Sequence, residues 1–187
     1  MEKNVAMIAL FAALIAALGL IPKITLGFGV PITAQSLGVM LCGSVLGAKR
    51  GGLAVLLFLL LVAIGLPLLS GGRGGLGLFV SPTAGFLFGW PVAAFVTGWI
   101  VENWRGAPLA LVAGLASVVG CIVVMYIFGI VGLSLALEKS LSQAALLVTA
   151  FIPGDIIKAV IAGLLTAALA KARPASILSR AGKSDAV

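Results

Sequence analysis

The chain has 187 residues, of which 62% are hydrophobic and only 9% are charged, and its mean hydropathy is +1.30. Soluble domains carry about 25% charged residues, so a chain this apolar is expected to lie in a lipid bilayer. The net charge of +7 does not indicate nucleic-acid binding, because the basic residues are scattered among apolar runs without interleaved aromatic residues. The absence of histidine excludes most catalytic zinc sites and histidine-based acid–base chemistry.

The two cysteines, Cys42 and Cys121, both lie inside apolar runs. Cysteine in such a context behaves as a small hydrophobic residue, so we expect two core residues rather than a disulfide or a metal site. No metal ion or other cofactor is predicted for this chain.

Six apolar runs predict membrane-spanning helices, since about 20 helical residues cross the ~30 Å hydrocarbon core. In chain order the predicted spans are 5–21, 34–48, 51–66, 82–101, 107–133 and 144–170. The second span is short and follows Pro31, and Pro153 interrupts the sixth. A helix that starts near Pro153 still rises about 27 Å before Ala170. The predicted fold class is therefore an all-α integral membrane protein with six transmembrane helices in one domain, residues 1–170.

The distribution of lysine and arginine predicts the orientation of these spans. With the N-terminus in the cytoplasm, eight basic residues fall inside and three fall outside, while Lys158 lies within a span. The inside group is Lys3, Lys49, Arg50, Arg105, Lys171, Arg173, Arg180 and Lys183, and the outside group is Lys23, Arg73 and Lys139. The positive-inside rule therefore predicts that both termini are cytoplasmic. Residues 171–187 are predicted to form a flexible, basic cytoplasmic tail.

Two segments of the chain resemble nucleotide-binding motifs, but neither meets the requirements of its motif in full. Gly182-Lys183-Ser184 resembles the end of a P-loop, but the position that requires the first glycine is Ile177. The segment from Gly72 to Gly77 matches G-x-G-x-x-G, yet no strand of a βαβ unit precedes it. The chain therefore has no recognisable ATPase of its own, and uphill transport would need a partner or an ion gradient.

Asp155 and Lys158 are the first candidates for a functional site. They lie at positions i and i+3 of the sixth span, so a helix places them on one face. An ionised side chain at membrane depth costs about 2.5–3.5 kcal/mol, and such residues usually mark function. A helix that begins at Pro153 also places Asp155 in its first turn, where the helix dipole stabilises a carboxylate. The alternative is a structural ion pair that fixes a neighbouring helix.

The segment Leu66–Phe86, called here the glycine-rich loop, is the second candidate. Its glycines allow backbone groups to approach a ligand closely, and Arg73 in their midst suits a carboxylate. Irregular backbone at membrane depth is tolerated where it lines a cavity. The alternative is a flexible surface loop with a solvated arginine.

The first span contains the third candidate feature, a repeat of small residues. Ala9, Ala13 and Ala17 recur every four residues and form a smooth stripe on which another transmembrane helix can pack. The alternative is packing within the chain itself, since alanine is abundant throughout the sequence.

Three motifs occur together in this chain and are specific in combination. They are P-I-T-A-Q-S-L-G-V from Pro31, G-L-P-L-L-S-G-G-R-G-G-L-G-L-F-V-S-P-T-A-G-F-L-F-G-W from Gly65, and P-G-D-I-I-K-A from Pro153. Over roughly residues 9–170 the chain resembles the biotin-specific S components of energy-coupling-factor transporters, the BioY family. The motif after the glycines commonly reads G-P-T-G-G-Y in that family, whereas this chain has Ser81, Ala84 and Phe86 at the departing positions.

The resemblance implies a substrate-capture subunit for biotin uptake rather than an enzyme. It implies a multi-pass protein of the bacterial cytoplasmic membrane, with a cavity near the outer face that the loop Pro22–Ala34 covers. The alanine stripe on the first helix would then dock a transmembrane coupling subunit, and two ATPase subunits would complete the transporter.

The resemblance also implies which residues contact biotin. Asp155 can accept from the ureido N–H groups, Lys158 can donate to the ureido carbonyl, and Arg73 can meet the valerate carboxylate. The reverse assignment of Lys158 and Arg73 remains open. Phe79 and Phe86 are candidates for apolar walls around the bicyclic ring. The remaining predicted substrate contacts are Gln35, Gly72, Gly74 and Thr83.

Four other functions compete with this interpretation. An S component for another vitamin would be separated by a ligand screen, and a stand-alone, homo-oligomeric transporter by sensitivity of uptake to an uncoupler. An intramembrane enzyme is disfavoured because no histidine and no second aspartate lie in a span. A purely structural protein, with Asp155 and Lys158 as a clamp between helices, would bind no small ligand tightly.

Overall fold

The computed structural model describes residues 2–180, and in this range the chain is all-helical apart from loops and two isolated β-bridges. Its helices are α1 (Glu2–Leu18), α2 (Gln35–Leu46), α3 (Ala48–Ala63), α4 (Ala84–Asn103), α5 (Leu109–Val118), α6 (Met125–Ala136), α7 (Leu141–Val148) and α8 (Ile152–Ala172). A π-helix, Val119–Val124, joins α5 to α6, and a 3₁₀ turn, Thr149–Phe151, joins α7 to α8. The prediction of six helical segments is confirmed, because these two junctions make α5–α6 and α7–α8 continuous.

Three of the segments within residues 2–180 are long and apolar enough to cross a membrane. They are α4 with 20 residues, Leu109–Ala136 with 28 and Leu141–Ala172 with 32. By contrast, α2 has only 12 residues, about 18 Å of rise, which matches the prediction of a short second span.

Helix α2 lies at the centre of the bundle and packs on α1, α3, α4 and α8. Every residue of α2 except Leu37 is buried, as expected for a helix that is apolar on all sides. Close contact with α4 depends on Gly43, where a Cβ atom would overlap the Ala94 carbonyl and the Thr97 side chain. Small residues thus allow the backbones of α2 and α4 to approach, as in other membrane helix pairs.

The start of α8 agrees with the prediction made from Pro153. The helix begins at Ile152 with the proline in its first turn, where a missing N–H group costs nothing. The residues before it form the separate short helix α7, which Ser140 and Gln143 cap reciprocally. The predicted span 144–170 therefore contains a helix junction, and Asp155 lies in the first turn after it.

The prediction of a flexible tail from residue 171 needs correction for the part that the structure describes. Helix α8 continues to Ala172, and residues 174–180 then form two short 3₁₀ turns against the bundle. Ile177, Leu178 and Ser179 are buried, and the Ser179 hydroxyl donates to the Ser44 carbonyl at 2.6 Å. The serine-rich composition of this segment concealed the two apolar side chains that hold it. Residues 181–187, including the rejected motif Gly182-Lys183-Ser184, lie outside the described range.

Candidate functional site

Asp155 and Lys158 form an ion pair near the start of α8. The Lys158 Nζ atom lies 2.8 Å from Asp155 Oδ1, and the two side chains are 15% and 5% exposed, respectively. This is the only salt bridge among residues 2–180. The spacing of three residues on a helix brings the pair together, as predicted.

Two further side chains complete a network around the carboxylate. Ser36, from α2, donates its hydroxyl to Asp155 Oδ1 at 3.2 Å and accepts from Lys158 Nζ at 3.0 Å. Tyr126, from α6, donates its hydroxyl to Asp155 Oδ2 at 2.7 Å. Neither Ser36 nor Tyr126 was predicted from the sequence to be a site residue. Tyr126 is the only tyrosine of the chain and lies within an apolar run, and this was the one available indication of a buried polar role.

The network leaves two hydrogen-bonding positions open. A carboxylate offers about four lone-pair positions. Oδ1 accepts two hydrogen bonds and Oδ2 accepts one, so one position remains on Oδ2. The Lys158 ammonium has three N–H groups. Two are used by Asp155 and Ser36, so one remains. The pair can therefore offer a ligand one acceptor and one donor side by side.

A narrow cavity lies against this network. Its lining residues are Val30, Pro31, Ile32, Thr33, Gln35, Ser36, Leu69, Arg73, Thr83, Phe86, Leu87, Trp90, Met125, Tyr126, Phe151, Asp155 and Lys158. Nine of these residues are apolar, and the other eight, among them Arg73, Asp155 and Lys158, are polar or charged. The cavity volume is about 50 Å³. Small-molecule pockets typically measure about 300–1,000 Å³, so a bicyclic ligand requires lining residues to move outward.

The connection between α1 and α2 covers the cavity. Its residues Ile24 and Ile32 pair through two backbone hydrogen bonds of 3.1 and 2.9 Å, and residues 30–33 line the cavity. Phe28 packs edge-on against Phe151 with ring centroids 5.9 Å apart. These contacts agree with the covering role that the resemblance implies for Pro22–Ala34.

The glycine-rich loop has a defined structure rather than the alternative of a flexible surface loop. Leu69 and Arg73 exchange two backbone hydrogen bonds of 3.0 and 3.1 Å across a turn with positive φ at Gly71 and Gly72. Glycine adopts this left-handed backbone without strain. The turn holds the Arg73 side chain at the cavity, where its Nε donates to the Ser70 carbonyl at 3.3 Å. Partial burial lowers the pKa of Arg73 through desolvation, yet the group stays charged at neutral pH.

Gln35 connects this loop to the helices. Its amide nitrogen donates to the carbonyls of Ile15 and Leu68 at 3.1 and 3.0 Å, and its oxygen accepts from the Ser70 N–H at 2.9 Å. Both amide hydrogens are thus used inside the protein. Gln35 touches the cavity, but its contacts are those of a residue that holds the loop in place.

The remaining predicted contacts divide into two groups. Thr83 and Phe86 line the cavity, and the buried Thr83 hydroxyl has no hydrogen-bond partner among residues 2–180. Phe79, Gly72 and Gly74 do not line it. Phe79 packs instead against Phe88 with ring centroids 5.8 Å apart, on a neighbouring surface. Trp90 and Phe151, which the sequence analysis did not propose, supply aromatic wall in its place.

The alanine stripe of α1 faces away from the bundle. Ala9, Ala13 and Ala17 are all exposed, whereas Phe11 and Ile15 on the opposite face are buried. The structure therefore does not support the alternative of packing within the chain. An exposed stripe of small residues leaves room for the close approach of another transmembrane helix.

Comparison with known proteins places this chain in a family. A family model described as the BioY family matches residues 2–175. The chain belongs to the BioY family. It is 57% identical to "Biotin transporter BioY" of Rhodobacter capsulatus over 96% of this chain and 100% of that protein. It is 43% identical to "Probable biotin transporter BioY" of Bacillus subtilis over 88% of this chain and 89% of that one.

A solved structure supports the same assignment. The crystal structure of "the S-component for biotin from an ECF-type ABC transporter" superposes with a TM-score of 0.86 at 31% sequence identity. The match covers 91% of this chain and 92% of that chain. The fold is therefore that of an S component, and the chain is a multi-pass membrane transport protein.

Proposed function

We propose that this protein binds biotin and acts as the substrate-capture subunit, or S component, of an energy-coupling-factor transporter. The observation that carries the proposal is the Asp155–Lys158 network in the wall of a cavity that also has aromatic and aliphatic lining residues. Its one open acceptor and one open donor lie side by side. A cyclic urea presents an N–H group next to a carbonyl and is complementary to this pair. The biotin transporters named above, which match most of this chain, support the same substrate.

The polar groups suggest how biotin is oriented. The ureido N–H donates to Asp155 Oδ2 and the ureido carbonyl accepts from Lys158 Nζ, while Phe86, Trp90 and Phe151 enclose the bicyclic ring. Arg73 meets the valerate carboxylate, because its Nε is held by Ser70 and its terminal nitrogens make no hydrogen bond within the described residues. The protein binds and releases its substrate unchanged and is not an enzyme.

The proposal also includes the assembly of the transporter and the orientation of this chain in the membrane. The exposed stripe of Ala9, Ala13 and Ala17 docks the transmembrane coupling subunit, and two ATPase subunits supply the energy. The excess of basic residues on one side favours cytoplasmic termini. In that orientation the cavity opens toward the cell exterior, where biotin is captured.

Ligand identification on the purified protein tests the function directly. The protein is extracted gently in detergent, denatured, and the released small molecules are analysed by mass spectrometry, with isotopically labelled biotin added as a competitor. We expect stoichiometric biotin that exchanges with the labelled form. A different vitamin in stoichiometric amount would retain the S-component role with another substrate. An empty protein that also ignores micromolar biotin would contradict the proposal.

Replacing Arg73 with glutamine tests the orientation of the ligand. Hydrogen bonds to charged groups contribute about 1.5–3 kcal/mol, so we expect R73Q to weaken biotin binding about tenfold to a hundredfold. Biotinamide, whose tail is uncharged, should bind the wild type and R73Q alike. K139Q is the matched control, because it removes another basic residue predicted outside that does not line the cavity. Equal losses for both ligands would instead favour Lys158 as the carboxylate partner.

A further inference from the structure

The π-helix Val119–Val124 lies in the middle of the 28-residue segment Leu109–Ala136, directly before two residues that line the cavity. A π-helix inserts one extra residue into an α-helical ladder, and such insertions are rare and concentrate at functional sites. The proposed function does not by itself explain this segment. Its position just before Tyr126 indicates what it does.

The burial pattern shows the extra residue. Buried pairs occur at positions 112–113, 116–117 and 120–121, and the next buried pair is 125–126. The steps are four, four and five residues. An uninterrupted α-helix turns about 100° per residue, so a further step of four would have directed residues 124 and 125 toward the bundle and turned Tyr126 away from it.

The wide turn is accommodated by a close approach to α4. A Cβ atom at Gly120 would overlap the Ala93 carbonyl and the Thr97 hydroxyl, so only glycine lets the π-helix pack at this distance. Beyond the turn, Tyr126 enters the aromatic wall, with its ring 6.4 Å from Phe86 and 6.5 Å from Phe151. Its hydroxyl then reaches Asp155 Oδ2 at 2.7 Å.

Tyr126 holds one of the two oxygens of the Asp155 carboxylate, Oδ2, in place. Lys158 and Ser36 both contact Oδ1, so these two bonds alone allow the carboxylate to rotate about that oxygen. The Tyr126 hydroxyl is the only hydrogen-bond donor to Oδ2 among residues 2–180. It therefore decides where the remaining lone pair of Oδ2 points.

We propose that the π-helix Val119–Val124 is a register device that brings Tyr126 to Asp155, and that Tyr126 is a positioning residue for substrate recognition. Its hydroxyl holds the carboxylate so that the open acceptor on Oδ2 faces the cavity next to the open N–H of Lys158. The inference deepens the proposed function, since the ligand group that it orients for is the ureido ring of biotin.

Two variants test the proposal at the level of binding. Y126F keeps the ring and its aromatic packing but removes the hydroxyl, and we expect biotin affinity to fall about tenfold. Insertion of one alanine between Val123 and Val124 leaves the buried step of five ending at Val124 and Met125 and turns Tyr126 about 100° away from Asp155, so it should reduce affinity at least as much in a protein that still folds. V123A is the matched control, because it alters the same exposed site of the π-helix without changing the register. Wild-type affinity in Y126F, or in the insertion variant, would overturn the proposal.

A measurement without ligand separates this proposal from the identity of the substrate. Thermal unfolding of the unliganded protein is compared for Y126F, D155N and the double variant, in the original chain and in the variant with one alanine inserted between Val123 and Val124. We expect the effects of Y126F and D155N to be strongly non-additive in the original chain and additive after the insertion, which separates the two side chains. Additivity in the original chain would overturn the positioning role even if biotin binds. Non-additivity in a protein that ignores biotin would retain the register device and reject only the substrate.

Discussion

Replacing Asp155 with asparagine is expected to weaken biotin binding by about a hundredfold, because a hydrogen bond between the ligand and a charged group contributes up to about 3 kcal/mol. The substitution removes the countercharge of Lys158 and places an amide, which has its own N–H donors, where the ligand needs an acceptor. Equilibrium binding of labelled biotin to the detergent-purified variant measures the loss. Unchanged affinity in a folded protein would remove Asp155 from the site.

Two companion variants separate recognition from stability. E102Q is the matched control, since it makes the same carboxylate-to-amide change on α4, where Glu102 caps the N-terminus of α3 through the Ala48 N–H at 3.0 Å. It should bind biotin like the wild type. The double variant D155N/K158M removes both charges and should recover thermal stability relative to D155N without recovering binding. Recovery of both would identify the pair as a structural clamp between helices.

Much of the fold could be predicted because the membrane imposes simple requirements on the sequence. Spanning helices need long apolar runs, so six segments are visible, and Pro153 marks a helix start because its ring fixes φ and removes a donor. The packed segment 174–180 was missed for the opposite reason. Its order depends on Ile177 and Leu178 meeting the rest of the bundle, and no local pattern encodes that contact.

The candidate site was likewise predictable in part: residues that are neighbours on one helix were found, and residues brought in by packing were missed. Asp155 and Lys158 are neighbours on one helix, and an intramembrane charge is conspicuous in sequence. Ser36 and Tyr126 reach the same carboxylate from 119 and 29 residues away, through packing of α2 and α6 against α8. Phe79 was predicted to form an apolar wall of the cavity, but it lies in the 3₁₀ turn Leu76–Val80 and packs against Phe88 instead. A single serine or phenylalanine in an apolar run does not show which side of the fold it faces.

Replacing Ala13 with tryptophan is expected to reduce biotin uptake strongly while leaving biotin binding unchanged. The stripe of Ala9, Ala13 and Ala17 is exposed and smooth, and close packing of two transmembrane helices tolerates only small side chains at such positions. An indole at position 13 would keep the partner helix at a distance. Uptake by the reconstituted complex of this chain with its coupling and ATPase subunits should fall by at least about tenfold, as for the loss of a well-packed interface residue. The binding affinity of the isolated chain should stay within about twofold of wild type, a difference of less than ~0.5 kcal/mol.

The control for this experiment is L111W, which places the same indole at another exposed position, on α5, where the leucine is 52% exposed. It should leave both binding and uptake intact, because lipid accommodates a tryptophan that a helix interface does not. Loss of uptake in A13W alone assigns the stripe to the coupling subunit. Normal uptake in A13W would mean that the alanines face only lipid. Uptake by the chain without ATPase subunits, unaffected by A13W but collapsed by an uncoupler, would favour a transporter that works alone. If only A13W loses uptake, and it still binds biotin, the protein has two separable parts. The alanine stripe then serves assembly with the coupling subunit, and the Asp155 network serves substrate capture.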